Sequence, residues 1–234
     1  MEINYQNIKV IGFDADDTLW VNETYFREAE MEFGNLLSEY ETLNTIDQEL
    51  FKKEIDNLPM YGYGVKAFVL SMVESALEQS NYNISTKSIE AILNIGKDML
   101  NKPVELLDGV EDVLKVLSPK YRLILATKGD LLDQERKLEK SGLTKYFHHI
   151  EVLSDKKEAN YSKLLNHLDI KPSEFLMIGN SLKSDVLPLV NIKAHAIHVP
   201  FHTTWAHEQV TEQETNGKTY KTINTLRDLL KLLN

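Results

Sequence analysis

Apolar and polar positions follow two rhythms along the chain, and the change of rhythm divides it. Residues 8–13, "IKVIGF", set Ile8, Val10, Ile11 and Phe13 in a short apolar run that predicts a buried strand. Beyond residue 20 the spacing turns helical. "TYFREAEMEFGNLLSEY" puts Phe26, Ala29, Phe33, Leu36 and Leu37 on one face. "VKAFVLSMVESALEQS" repeats this with Phe68, Val69, Met72, Val73, Ala76 and Leu77, and "STKSIEAILNIGKDMLN" does so after a serine or threonine cap. From Leu106 onward strands and helices alternate. "YRLILAT", "FHHIEVLS", "EFLMIGN" and "AHAIHVP" read as strands, with helices at "GVEDVLKVLSP", "DLLDQERKLEKSGL", "EANYSKLLNHLDI", "SDVLPLVNI" and "TINTLRDLLKLLN". The alternation predicts an α/β core, a parallel sheet with helices on both faces. Residues 1–20 and 101–234 form that core, residues 21–100 an all-helical insert, and the polar run "HEQVTEQETNGKTYK" an exposed loop.

Open parallel sheets bind ligands beyond the carboxyl ends of their strands. Four such ends carry polar groups, "FDADDT", "LATKGD", "VLSDKK" and "IGNSLKSD", and are expected to converge in one crevice. Asp14, Asp16 and Asp17 crowd the end of the first strand, where that much negative charge calls for a cation or a proton. Other uses exist for these residues taken singly. Asp14 could cap a helix or turn, and Thr127 could cap the helix that begins near Asp130. Asp17 reads as a solvent-facing or turn residue, and Lys128 and Lys183 read as added positive potential or as solvated surface charge.

Composition narrows the choice. A net charge of −10 argues against a broad basic surface for nucleic acid or anionic lipid. With no cysteine among the 234 residues, disulfides, thiolate metal sites and a cysteine nucleophile are excluded. The first residues are unlike a signal peptide, and no apolar run approaches the ~20 residues that span a bilayer. A cytoplasmic protein with neither nucleic-acid nor membrane partners is expected. The histidines, including His148, His149, His195 and His198, match no zinc spacing and are assigned structural roles.

"DADDTLW" resembles the Asp-x-Asp-x-Thr first motif of the haloacid dehalogenase-like hydrolase superfamily. Thr127 in "LATKGD" resembles its second motif, a lysine in "LSDKKE" its third and "IGNSLKSD" its acidic fourth. The motifs fall in the expected order over residues 8–20 and 105–200, and the helical insert stands where the family carries a helical cap. The resemblance implies a Rossmann-like core and a Mg²⁺-dependent phosphatase of small phosphate monoesters, similar to the phosphoglycolate phosphatase-like branch. Asp14 would be the nucleophile that forms an aspartyl-phosphate, and Asp16 the general acid and base. Thr127, Lys128 and Lys156 would hold the phosphoryl group. Asp14, the Asp16 carbonyl, Asn180 and Asp185 would hold the metal. Lys156 and Lys157 are adjacent, and nearness to the strand end favours Lys156.

One departure stands out: Asn180 occupies a position where the family commonly has aspartate, with Asp185 five residues on. Either could be the direct ligand. Dehalogenases of the superfamily lack the second aspartate, so Asp16 favours phosphoester hydrolysis. The alternatives are a 2-haloacid dehalogenase, a sugar phosphomutase, or a non-catalytic phosphate-binding or regulatory protein. In the insert, "MYGYGVKAF", with Tyr61, Gly62, Tyr63, Gly64 and Lys66, is either a substrate-specificity loop or a plain helix–helix turn. The partner is a small phosphorylated molecule, and the chain is a monomer or a homodimer.

Overall fold

The continuous apolar runs become the strands of one parallel sheet. The computed structural model describes residues 5–233. Its elements are β1 (Val10–Phe13), α1 (Glu23–Leu37), α2 (Leu43–Tyr61), α3 (Val65–Gln79), α4 (Thr86–Asn101), α5 (Val110–Leu117), β2 (Arg122–Thr127) and α6 (Leu131–Lys140). There follow β3 (His149–Val152), α7 (Glu158–His167), β4 (Phe175–Gly179), α8 (Leu187–Asn191), β5 (His195–His198), α9 (Glu212–Thr215), β6 (Lys221–Thr222) and α10 (Leu229–Leu232).

Two compact units result. The first runs to Glu23 and takes in Val104–Lys128 and everything described from Gln134 onward. Its sheet has the order β3-β2-β1-β4-β5-β6 among the described residues, and every pairing is parallel. This is a Rossmann-like α/β fold. Burial on both faces explains why the central strands read as unbroken apolar runs. Ile11, Phe13, Leu123, Leu125, Leu176 and Ile178 share one face with Val113, Leu114 and Leu117 of α5. Val10, Ile124, Ala126, Phe175 and Met177 point the other way, toward Tyr161, Leu164 and Leu165 of α7.

Two details of this unit depart from the sequence expectation. The polar run expected to be an exposed loop contains α9 and ends at Lys221, the first residue of the short strand β6, which pairs with β5 through Ile197 and His198. The terminal helix is shorter than predicted. Asp228 Oδ2 accepts from both the amide and the hydroxyl of Thr225, so a capped turn precedes α10.

The second unit is Thr24–Pro103 together with Gly129–Asp133. Phe33, Leu37, Ile46, Leu50, Phe68, Met72, Ile92 and Ile95 form its core. Helix α2 has a weaker apolar stripe than its neighbours, with only Ile46 and Leu50 fully buried, and starts at Thr42, whose side chain accepts from Thr45 N. The "MYGYGVKAF" segment links α2 to α3, with φ of 71° at Gly62 and 104° at Gly64. These are left-handed values that side chains resist. Tyr61 donates to Glu74 and Lys66 pairs with Asp130 inside the same unit. Among the described residues no helix is long and apolar enough to cross a membrane.

Phe33 is fully buried in the helical unit, so Phe33→Ala is expected to cost about 3–5 kcal/mol in urea unfolding followed by circular dichroism. A loss below about 1 kcal/mol would mean that this cluster does not hold the unit together.

Candidate active site

Asp14 leaves the sheet where β1 stops, its amide donating to Ile178 O of β4 at 2.8 Å. The residue is only 6% exposed. Its Oδ1 accepts from Lys156 Nζ at 2.5 Å and its Oδ2 from Thr18 Oγ1 at 3.0 Å. Lys156 is equally enclosed and donates also to Asp185 Oδ1 at 2.6 Å. The three residues follow β3, β1 and β4. With β2 between β3 and β1, a long lysine stem is what bridges the gap. Lys157, by contrast, is exposed and paired with Asp155.

Electrostatics in this triplet are unbalanced. One ammonium shared by two buried carboxylates leaves one negative charge. Burial pushes the Asp14 carboxyl up, against the pull of Lys156, and the charges of Asp185 and Asp16 push the same way. Burial alone would lower Lys156, but Asp14 and Asp185 hold it well above its ordinary value. Lys156, facing two carboxylates at once, is the partner that stays charged.

The acidic fourth segment bends through a single wide turn, Leu182–Val186, straight after β4. Ser181 starts the turn by accepting from Ser184 N. Asp185 folds back so that its Oδ2 accepts from Ser181 N at 3.0 Å. A Cβ on Gly179 would overlap the Asp185 carboxylate, which explains the glycine at the strand end. Asn180 sits beside Asp14: its backbone amide donates to Thr18 Oγ1 at 3.1 Å. Its side-chain Oδ1 accepts from Thr18 Oγ1 at 3.3 Å; with the amide turned over, its nitrogen would donate to Asp16 O at 3.2 Å and to Thr18 Oγ1 and Asp14 Oδ2, both at 3.3 Å. His198, given only a structural role above, bonds through Nε2 to Asn180 O at 3.0 Å.

Asp14 Oδ2, the Asp16 carbonyl and the Asn180 side chain therefore crowd one point. With its oxygen turned to that point the amide offers a third hard oxygen, so the residues present fit a small divalent cation. Asp185 is engaged by Lys156 and Ser181 instead. Among the described residues no three His, Asp or Glu side chains gather as metal ligands, so a carboxylate, a carbonyl and an amide are the available set.

The family model described as "Hydrolase: haloacid dehalogenase-like hydrolase" matches residues 8–192. The chain belongs to that family. It is similar to N-acylneuraminate-9-phosphatase of Mus musculus, at 24% identity over 190 residues, 76% of this chain and 77% of that protein. Among solved structures it is similar to a haloacid dehalogenase-like family hydrolase from Xanthomonas campestris. That match has 36% identity and a TM-score of 0.85, covering 97% of this chain and 92% of that one. A 2-haloacid dehalogenase from Pseudomonas syringae shares the fold, with a TM-score of 0.62 at 19% identity over 97% of this chain and 98% of that one. The fold alone thus does not choose between the family's chemistries.

The remaining motif residues of this haloacid dehalogenase-like chain are held separately. Asp16 Oδ1 accepts from Trp20 Nε1 at 2.7 Å and Lys137 Nζ at 2.6 Å, and Oδ2 from Gln134 Nε2 at 2.8 Å. Trp20, Gln134 and Lys137 were not anticipated. The signal available was that Gln134 and Lys137 lie three apart on α6, so they share a face. Asp17 is not solvent-facing. It is buried at φ 61°, accepts from Asn22 N and Glu23 N ahead of α1, and is pushed up to about 8, chiefly by burial. Thr127 ends β2 and is buried, its hydroxyl donating to Lys128 O at 3.1 Å.

Lys128 Nζ donates to Glu208 Oε1 at 2.5 Å and Ser184 Oγ at 3.0 Å. Glu208 lies in the run expected to be an exposed loop, yet its side chain is mostly enclosed. Burial would raise the Glu208 carboxyl, but Lys128 and the hydroxyls of Ser181 and Ser184 hold it down at about 2, against 4.5 ordinarily. Between those values the unfolded chain binds the proton and the folded chain does not. Stability therefore rises with pH there and is lost as pH falls from 4.5 toward 2. Wild type should lose about 3 kcal/mol more than Glu208→Gln across that window in urea unfolding. Parallel pH profiles for the two proteins would contradict it.

Proposed function

We propose that this hydrolase is a Mg²⁺-dependent phosphatase of small phosphate monoesters. The observation that carries the reading is the division of labour between two neighbouring carboxylates. Asp14 is buried against Lys156, and Asp16, two residues on, has its own donors in Lys137, Trp20 and Gln134. A nucleophile and a separate proton carrier are what a two-step phosphoryl transfer needs.

Asp14 attacks phosphorus while the bond from phosphorus to the ester oxygen breaks, and Asp16 gives that oxygen its proton. Water then attacks the aspartyl-phosphate at phosphorus and passes a proton to Asp16. Inorganic phosphate leaves and the Asp14 carboxylate returns. Lys156 neutralises charge on the transferring group, and Thr127 orients it. Mg²⁺, held by Asp14, the Asp16 carbonyl and Asn180, would supply Lewis-acid stabilisation of the phosphoryl oxygens. Asp185 keeps Lys156 in place. The N-acylneuraminate-9-phosphatases at 24% identity support a phosphomonoester and make sugar-acid phosphates the first compounds to assay.

Hydrolysis of p-nitrophenyl phosphate with Mg²⁺ is the direct test, and Asp14→Asn should lower kcat by at least about 10³-fold with the fold intact. Halide release from a 2-haloacid without metal, and no phosphate release, would instead make this chain a dehalogenase.

Asn180 generates a second expectation. Turned over, its neutral amide satisfies Asp14 and the Asp16 carbonyl by itself, whereas an aspartate there would add repulsion that a cation relieves. Asn180→Asp should bind Mg²⁺ about tenfold more tightly by calorimetry and melt at a lower temperature in chelator. An unchanged affinity would remove Asn180 from the metal set.

A further inference from the structure

Glu208 closes a network that the hydrolytic roles above leave unused. Its Oε2 accepts from Ser181 Oγ at 2.5 Å and from Ser184 Oγ at 2.6 Å, while Oε1 takes Lys128. Those serines flank the two positions of the acidic segment, Ser181 following Asn180 and Ser184 preceding Asp185. Ser181 also fixes the turn from inside, since its hydroxyl accepts from Ser184 N and its carbonyl from Asp185 N. A second tie runs beside the first: Lys183 Nζ donates to His207 O at 2.5 Å. The stretch Ala206–Glu208, which follows β5 at a distance in sequence, is thus fastened across the whole turn.

We propose that Glu208 is a positioning residue that fixes the turn carrying Asn180 and Asp185 and at the same time neutralises Lys128. The enclosed carboxylate gives the serine hydroxyls one acceptor and so sets the direction of both. With the hydroxyls set, Ser184 N and Asp185 N keep their partners, and the Asp185 carboxylate stays on Lys156. Lys128, carrying a counter-ion of its own, leaves Lys156 as the ammonium bonded to the nucleophile. Glu208 touches neither the reacting atoms nor the proposed metal donors and acts only through the residues it holds. The metal arm of the test below rests on the Mg²⁺ reading; the exchange arm does not.

Hydrogen exchange followed by mass spectrometry on the metal-free full chain reads the turn directly. In Glu208→Ala, amides of residues 181–186 should exchange about tenfold faster, while β1 keeps its wild-type rate. Mg²⁺ binding by calorimetry should weaken about tenfold, in the range expected when a group that orients ligands is lost. Glu208→Gln keeps an oxygen acceptor for the serines but leaves the Lys128 charge without its carboxylate, so it should be intermediate. Glu208→Gln with Lys128→Met removes that charge and should return exchange in the turn to within about threefold of wild type.

Unchanged exchange in residues 181–186 would overturn the proposal, as would an equal acceleration throughout the chain. Should Glu208→Ala not fold, the single and double variants decide, and equal exchange in those two overturns it. A wild type that takes up no Mg²⁺ removes the metal reading, and the exchange rates still judge Glu208.

Discussion

The site depends on one buried ammonium. Lys156 lies between Asp14 and Asp185, and all three are almost completely withdrawn from solvent. Removing three charges from water is costly, and the arrangement holds only if geometry returns the cost through short charge-assisted contacts. That requirement reaches far into the fold. It needs strands β3, β1 and β4 to end at one edge of the sheet, as parallel pairing in this order provides. It needs Gly179 to have no side chain, because the Asp185 carboxylate occupies that space. It needs the wide turn after β4 to send Asp185 back toward the sheet while Tyr161 of α7 holds the turn by donating to Ser184 O.

Around this triplet, Asp16 and Glu208 each have a cation of their own. Asp16 is matched with Lys137 and Glu208 with Lys128, so neither draws on Lys156. The separation matters chemically. Two carboxylates sharing one ammonium titrate as a coupled pair, and Asp16 stands outside the pair formed by Asp14 and Asp185. Here Asp14 faces the triplet, while Asp16 is turned to α6 and to the indole of Trp20. Sequence neighbours thus acquire different surroundings because the backbone between them leaves the strand and bends.

Much of this is legible in the chain, for reasons particular to each part. β1, β2 and β4 are buried on both faces, so their apolar runs are unbroken and their polar ends conspicuous. Lys156 is separable from Lys157 by its nearness to the strand end, though only coordinates show that it reaches Asp14. The partners that escaped notice share a different character. Gln134 and Lys137 sit on a helix whose composition is mostly charged, where two polar residues on one face are ordinary. Glu208 lies among residues whose polarity matches any solvated loop, and its burial follows from tertiary contact with Ser181 and Ser184. Asp17, read as a solvent-facing or turn residue, does lie in the turn after β1 but is buried there. It serves the backbone instead, receiving the amides that precede α1. Local pattern reveals what a strand must bury, but not which distant donor a loop carboxylate will meet.

Asn180 acquires its meaning from the same count of charges. Lys128, Lys137 and Lys156 are set against Asp14, Asp16, Asp185 and Glu208, so the cluster already carries one negative charge more than it can pair. An aspartate at position 180 would place another carboxylate 3.3 Å from Asp14 Oδ2, a repulsion of about 5 kcal/mol at an effective dielectric of about 20. The amide avoids this because it carries no charge: its oxygen accepts from Thr18 Oγ1, and turned over its nitrogen would donate to Asp14 and to the Asp16 carbonyl. A neutral residue at this position therefore lets the acidic cluster assemble without a further negative charge beside Asp14.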